Sequence, residues 1–443
     1  MKSDTGTGRV KQHQPGIGQV EARFPTDDED PISFSMTVVH RLLERMEQKG
    51  AGRSWSSWVG ELRVQWMMSI FEISGVAWFK MNVTDSLFKG AVIKRAPCTR
   101  HQRDGELHAQ WAAFEPAARE AGLVRNAARP HGKGFALNEG ATFPLCSSIA
   151  VKDRSKSMKS YVMDIFERYA NESNIEGVDQ YNACYGGQAC GLCTLSWVES
   201  DRWDGRYGIA VATDISEAHP GFMAFVGAAT TATLFFPDAP MSHHSQRASC
   251  VLHRFDFCKP VGWHDMAPIT DGKYSVECYL DAGQPEHKDA LDACHSTLRQ
   301  KLNGRGPLEV TDLNVFHTGG GYHIVKKAFE RLVRAEQKGI KPDEKERLVQ
   351  EKLAPSVSLL KIIGPCHTVS SFLNTSSVIM NKMEQALGKI ILVFTYGSGC
   401  AASMYQMRVD DVPFFDPLEI WKLQFYRNAI KVRTSKVRRA REP

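Results

Sequence analysis

Val178-Asp179-Gln180-Tyr181-Asn182-Ala183-Cys184-Tyr185-Gly186-Gly187 sets one cysteine at a strand-to-helix joint. A polar approach leads into a short strand expected over 175–181. Two glycines then open a helix expected over 186–199, with Ala189, Leu192, Cys193 and Trp197 on one face. The thiol of Cys184 therefore falls at or near a helix N-terminus. Unpaired N–H groups and the positive end of the helix dipole stabilise a thiolate there, lowering such thiols from about 8.5 to roughly 3.5–7.5. Gly186 and Gly187 leave room for a bulky acyl group to come close to the backbone. A buried cysteine that only packs is the other reading of the same residue.

Outward from this joint the alternation of strand and helix continues. Residues 207–213 read as a buried strand ending at Asp214, and 230–236 as another, stopped by Pro237-Asp238-Ala239-Pro240. Leu313 to Phe316 is a short apolar strand, followed by a helix with Tyr322, Val325, Phe329, Leu332 and Val333 on its apolar face. Upstream, Met158, Val162, Ile165, Phe166 and Tyr169 mark one helix, and Val38, Val39, Leu42, Leu43 and Met46 another. The pattern is that of an α/β protein.

A chain of 443 residues holds two or three ordinary domains or one large double domain. Its 42% hydrophobic and 24% charged residues are those of a soluble globular protein. The net charge of +5 is local: the last 17 residues carry seven basic side chains and one acidic one, which leaves the remainder near −1. A nucleic-acid-binding body is therefore not expected. Eleven cysteines without regular spacing point to free thiols in a reducing compartment such as the cytoplasm. Met1 to Gln14 has a few basic residues without the Arg-rich amphipathic pattern of a mitochondrial address. No apolar run reaches the length of a membrane span. Cys190-Gly191-Leu192-Cys193 has metal or redox spacing, but no second pair accompanies it, so no metal is expected.

Asn182-Ala183-Cys184-Tyr185-Gly186-Gly187, Trp197-Val198-Glu199-Ser200 and Trp203-Asp204-Gly205-Arg206-Tyr207 resemble the nucleophile region of the 3-hydroxy-3-methylglutaryl-CoA synthases, a family of the thiolase superfamily. The likeness runs on in order through His253-Arg254-Phe255-Asp256-Phe257-Cys258-Lys259-Pro260, the stretch from Asp271 to Leu280, Phe316-His317, and Phe394-Thr395-Tyr396-Gly397-Ser398-Gly399. Met36-Thr37-Val38-Val39 also looks like the family, whose preceding first strand has no clear counterpart here. The resemblance implies a thiolase-like fold of two related α/β halves, each with a mixed sheet. The halves are expected over 149–240, with the nucleophile, and 241–430, with the catalytic histidine. A partial family segment occupies 1–47, and a basic tail 431–443. Residues 48–148 match nothing in the family. Five of the nine tryptophans fall there with little sustained periodicity, so the segment reads as an insertion or as translated non-coding sequence, poorly packed in either case. Within it, residues 64–79 have the character of a short buried helix or strand pair.

The resemblance also implies the chemistry. Cys184 attacks acetyl-CoA to give an acetyl thioester. A carboxylate takes a methyl proton, the carbon adds to the ketone of acetoacetyl-CoA, His317 supplies a proton to the alkoxide, and water releases 3-hydroxy-3-methylglutaryl-CoA. Asn182, Gly187, Asp214, His253, Asp256, Tyr279, Lys326 and Ser398 fall at substrate-site positions, with CoA thioesters as partners, no metal or redox cofactor, and a homodimer as the implied assembly. Gly397-Ser398-Gly399 forms a turn whose N–H groups suit an oxyanion. Three departures stand against full activity. Counting back from Asp153 to the family's catalytic glutamate lands on Ile149, and the nearest upstream acid, Glu139, lacks the family's Gly-Thr-Glu-Thr setting. The 219–227 loop is apolar where the family's is polar, and Gly364-Pro365-Cys366-His367 loses a pocket asparagine. A silent homologue acting as a binding or scaffold protein, or a condensing enzyme served by an acyl carrier protein, are the competing readings.

Overall fold

The computed structural model describes residues 35–36, 38–39, 64–71, 143–148, 155–170, 173–215, 227–258, 269–280 and 289–411. Glu139, Ile149, the 219–226 stretch and the basic tail lie outside the described residues, as does most of 48–148.

Nine of the strands form one mixed sheet. Those of the first half are β1 (Val64–Phe71), β2 (Phe143–Ser148), β3 (Val178–Gln180), β4 (Gly208–Ile215) and β5 (Ala228–Pro237). The second half adds β6 (Met241–Val251), β9 (Leu313–Phe316), β10 (Ile390–Gly397) and β11 (Ala401–Val409). Phe257–Cys258 and Ile269–Thr270, β7 and β8, pair separately. Across the large sheet the order is β3-β2-β4-β5-β1-β6-β11-β10-β9. β2 runs parallel to both β3 and β4, and β9 parallel to β10, so each half combines parallel and antiparallel pairs.

The α/β class is as expected, with one difference. A mixed sheet in each half was expected, whereas the described strands join into one. β1 causes this: it pairs with β5 along its whole length, from Val64 opposite Pro237 to Phe71 opposite Thr230, and with the start of β6 at Gln65 and Trp66. β2 sits between β3 and β4, with Leu145 opposite both Val178 and Ala210. Two pieces of the 48–148 segment thus take their strand pairing from strands far away in sequence.

Helices cover the sheet. α1 (Met158–Ala170) packs Met158, Val162, Ile165 and Phe166 with Val38, Val39, Ile209, Val211 and Leu234. α2 (Gly186–Val198) and α8 (Ser370–Lys382) lie against each other, Gly191 meeting Phe372 so closely that a Cβ there would fall 2.9 Å from the ring. The single apolar face expected for α2 is too narrow a description. Cys190, Leu192, Thr194, Leu195 and Val198 are buried while Cys193 is exposed, because the helix has neighbours on several sides. α8 is buried from Ser370 to Ile379 although rich in polar residues. Thr375 and Ser376 donate to the carbonyls of Ser371 and Phe372, and Asn374 Nδ2 donates to Phe316 O, so the burial leaves these donors satisfied, while Asn374 Oδ1 has no hydrogen-bond partner among the described residues. α3 (Gly272–Leu280), α4 (Ala290–Lys301) and α5 (Gly321–Glu336) enclose a second core with Phe316, Phe329, Leu332, Leu392 and Phe394. Two short helices, α6 (Pro342–Leu348) and α7 (Ser358–Ile363), complete this side. Among the described residues no helix is long and apolar enough to cross a membrane.

Candidate active site

Four chain segments converge on Cys184. The first is the joint itself. After β3 the chain makes a single tight turn, Ala183–Tyr185, in which Tyr185 N–H donates to Asn182 O at 2.9 Å, and α2 begins at Gly186. Ala183 holds φ at 41°, a left-handed conformation that costs a non-glycine residue of order 1–3 kcal/mol and persists only where surrounding contacts impose it. Those contacts come from the other segments. Thr368 Oγ1 donates to Ala183 O at 3.0 Å, and Thr368 N–H donates to the buried Asp214 Oδ2 at 3.2 Å. Gly187 and Gly397 admit the close approach: a Cβ on Gly187 would stand 2.2 Å from Thr368 O, and one on Gly397 would stand 2.3 Å from Tyr185 N.

The second segment is the end of β9. Phe316 is paired with Phe394 of β10, and His317 N–H continues the ladder to Phe394 O at 2.9 Å. This delivers a buried imidazole at the strand terminus. Gly319 N–H donates to its Nε2 at 3.1 Å, and Nδ1 bonds Ser370 Oγ at 2.9 Å. Because a backbone N–H can only donate, Nε2 is the acceptor, and the neutral ring carries its proton on Nδ1 toward Ser370. Gly319 has to be a glycine for this contact, since a Cβ there would lie 2.5 Å from Nε2.

The third segment, Gly364 to Thr368, places His367 just before α8. Cys184 Sγ and ring nitrogens of His317 and His367 lie within 4.8 Å of one another. The fourth is the turn after β10. Asp256 has no exposed surface and accepts from Gly399 N–H at 2.9 Å, Tyr396 Oη at 3.0 Å and Ser275 Oγ at 3.1 Å, which fixes the turn. The backbone N–H of Ser398 is thereby aimed at the Cys184 sulfur.

The electrostatics reverse one expectation. Burial pushes the Cys184 thiol well above its ordinary range, and the negative charges of Asp214 and Asp256 push it further; the N–H groups of Ser398 and of Cys184 itself offset this only in part. A lowered thiol pKa was expected from the helix start, but burial, with two carboxylates distant in sequence adding to it, outweighs that end of the dipole. The thiol rests protonated and needs a base at the moment of reaction. His317 moves the other way: burial, then the neighbouring His367, pushes it down to about 3.

This shift has a measurable consequence. The unfolded chain binds a proton at this imidazole below about 6.5, whereas the folded chain does not until about 3. Stability is therefore complete above pH 6.5 and falls as the pH drops toward 3, at up to about 1.4 kcal/mol per pH unit. His243, also pushed down to about 3 by burial, adds a second such proton. Urea unfolding of His317→Gln at pH 7, 6 and 5 is expected to show a shallower pH dependence than the parent chain; identical slopes would contradict it.

The remaining expected site residues separate into two groups. Tyr279 is buried behind His317, donating from Oη to its carbonyl oxygen at 3.1 Å, with the two rings edge to face. Asn182 supplies its backbone carbonyl to the turn and makes no side-chain cap. His253, by contrast, is exposed and stacks edge to face on the exposed Phe255. Lys326 of α5 pairs with Glu346 of α6 at 2.6 Å and with Glu330 on its own helix at 3.9 Å. His367 is the residue that sequence reading overlooked. Its signal was a histidine three residues after Gly364, whose φ of 96° marks a break, and just ahead of a helix.

A thiol and two imidazoles are also a donor set for a divalent ion such as zinc. Both His317 nitrogens are already engaged, by Gly319 and Ser370, so the arrangement suits proton transfer at sulfur better than ligation.

Residues 146–240 match a family model described as hydroxymethylglutaryl-coenzyme A synthase N terminal, and residues 242–355 and 342–437 match its C-terminal counterpart. A hydroxymethylglutaryl-CoA synthase-like protein from Alternaria alternata is 32% identical over 306 residues, covering 58% of this chain and 70% of that one. The cytoplasmic hydroxymethylglutaryl-CoA synthase of Cricetulus griseus is 32% identical over 300 residues, covering 58% and 56%. Among solved structures, MvaS in complex with 3-hydroxy-3-methylglutaryl coenzyme A superposes with a TM-score of 0.52 at 22% identity, over 61% of this chain and 67% of that chain. The HMG synthase of the curacin biosynthetic pathway, in complex with holo donor-ACP, superposes with a TM-score of 0.54 at 22% identity, over 63% and 66%. These two likenesses are of fold. Against curated relatives, the chain spans between 56% and 70% of their length.

Proposed function

Because the chain belongs to the hydroxymethylglutaryl-CoA synthase family, a branch of the thiolase superfamily, we propose that Cys184 carries an acetyl group in a condensation of acetyl-CoA with acetoacetyl-CoA and water to 3-hydroxy-3-methylglutaryl-CoA. The observation that carries this reading is the cluster of Cys184 Sγ with the imidazoles of His317 and His367. Sulfur attacks the thioester carbonyl of acetyl-CoA. The thiol proton passes to an imidazole and then to the departing CoA sulfur, so the exchange of one thioester for another is balanced. The N–H groups of Ser398 and Cys184, aimed at the sulfur, are positioned to meet charge that builds up beside it. Gly319, Ser370 and Tyr279 hold His317 in one orientation, and Asp256 holds the turn that supplies the Ser398 N–H. Asp214 acts through Thr368, which ties the His367 segment to the nucleophile turn. No step calls on a metal or redox cofactor. A homodimer and a cytoplasmic setting belong to the same reading, the setting supported by cytoplasmic relatives.

Intact-mass analysis of the purified chain after incubation with acetyl-CoA tests it. One acetyl group, mapped to the peptide holding Cys184, is expected. A folded chain that takes no acetyl group from acetyl-CoA, nor from an acetyl carrier protein of the kind bound by the curacin HMG synthase, is not an acyltransferase but a binding protein built on this fold.

A further inference from the structure

We infer that His367 is the general base of this site, taking the methyl proton of acetyl-Cys184 and returning it to the alkoxide formed by condensation. The inference deepens the acyl-transfer reading and rests on it. Enolisation of an acetyl thioester needs a base within reach of a methyl carbon two bonds from sulfur. Among the described residues, four ionisable side chains act on that sulfur or lie within 4.8 Å of it: Asp214, Asp256, His317 and His367.

Three of the four are committed. Asp256 accepts three hydrogen bonds, using both oxygens. Asp214 is fully buried and accepts from Thr368 N–H. His317 has Nε2 occupied by Gly319 N–H and Nδ1 by Ser370 Oγ, and burial disfavours its cationic form. His367 differs on each count. It is partly exposed, and its ring makes no hydrogen bond or ion pair among the described residues. A lone pair is therefore available at a ring nitrogen close to Sγ. Its backbone is held in place: His367 O accepts from Ser370 N–H at 3.2 Å, and the adjoining Thr368 is bonded to Asp214 and to Ala183 O. The chain also carries Ile149 where its resemblance implies a carboxylate, so the requirement for another base is real.

The proton count closes on this one ring. Neutral His367 takes a methyl proton, and the freed electron pair forms the enolate. The enolate carbon bonds to the ketone carbon of the acetoacetyl thioester, whose C–O π bond becomes an alkoxide. The His367 imidazolium then gives its proton to that alkoxide, leaving the alcohol and a neutral ring. Imidazole is suited to both transfers because one ring nitrogen can take a proton and give it back.

The test loads the full chain and His367→Gln with acetyl-CoA, transfers each to deuterated buffer, and follows deuterium entry into the Cys184-bound acetyl group by peptide mass. Exchange is counted per acetylated molecule, which separates it from the loading rate. Iodoacetamide labelling of Cys184 and a thermal melt establish that the variant is folded. In the parent, deuterium is expected to enter the bound acetyl group at a measurable rate. In His367→Gln that rate is expected to fall at least ~100-fold. Acetylated His367→Gln that exchanges at the parent rate overturns the assignment and leaves the acyl-transfer reading standing. Absence of acetylation in the parent overturns both.

Discussion

Cys184→Ser is expected to reduce acetyl loading and condensation by at least about 10⁴-fold while leaving the folded structure intact. The hydroxyl occupies less space than the thiol in a turn whose shape is set by others: Thr368 on Ala183 O, Tyr185 N–H on Asn182 O, and Gly397 against Tyr185. The fold therefore has little reason to change. The chemistry has every reason to. Burial, Asp214 and Asp256 already oppose the thiolate, and an alkoxide, intrinsically far more basic, meets the same opposition. Two backbone N–H groups on the sulfur do not close that gap. Neither nearby imidazole is a strong enough base to generate a standing alkoxide. CoA release with acetyl-CoA and acetoacetyl-CoA, alongside a thermal melt, measures both halves. A serine variant that turns over within tenfold of the parent would place the nucleophile elsewhere.

The order of elements was legible because most of them carry local signals. Leu313–Phe316 was readable to the residue: an apolar run enclosed by Asp312 and by His317 with its glycines has no other reading. The α5 stripe of Val325, Phe329, Leu332 and Val333 is as buried as its spacing requires. What escaped was whatever depends on distant partners. β1 and β2 show no clear alternation, and they become strands through neighbours that contact order, not local pattern, brings alongside. The thiol environment misled for the same reason. A helix start can be read from Gly186 and Gly187, whereas the burial that dominates the sulfur, and the carboxylates that add to it from the end of β4 and the turn before β7, come from segments distant in sequence. His367 carries only a weak local signal of its own: it is a lone histidine in a loop whose visible departure is Pro365 in the place of a pocket asparagine.

Gly187→Ala is expected to destabilise the chain by about 3 kcal/mol or more, against the direction that helix propensity alone would give. Gly187 is the second residue of α2, where alanine ordinarily adds about 0.8–1.0 kcal/mol over glycine. Here the new Cβ would stand 2.2 Å from Thr368 O and 3.0 Å from Ala212 Cβ. The first of these is backbone, held on one side by Asp214 and on the other by Ala183 O, so it cannot swing away as a side chain would. Relief requires parting α2 from the 364–369 segment, and that motion breaks the two Thr368 hydrogen bonds that hold His367 beside Cys184. Gly397→Ala attacks the same joint from the other side, through the backbone N of Tyr185 at 2.3 Å. Gly272 gives the control: it also opens a helix, and nothing lies within 4 Å of a Cβ placed there. Chemical unfolding is expected to rank Gly187→Ala and Gly397→Ala far below the parent, with Gly272→Ala equal to it or slightly above. Equal stability for Gly187→Ala and Gly272→Ala would mean that α2 and the His367 segment are not in contact, and the three-residue cluster at Cys184 would lose its geometric basis.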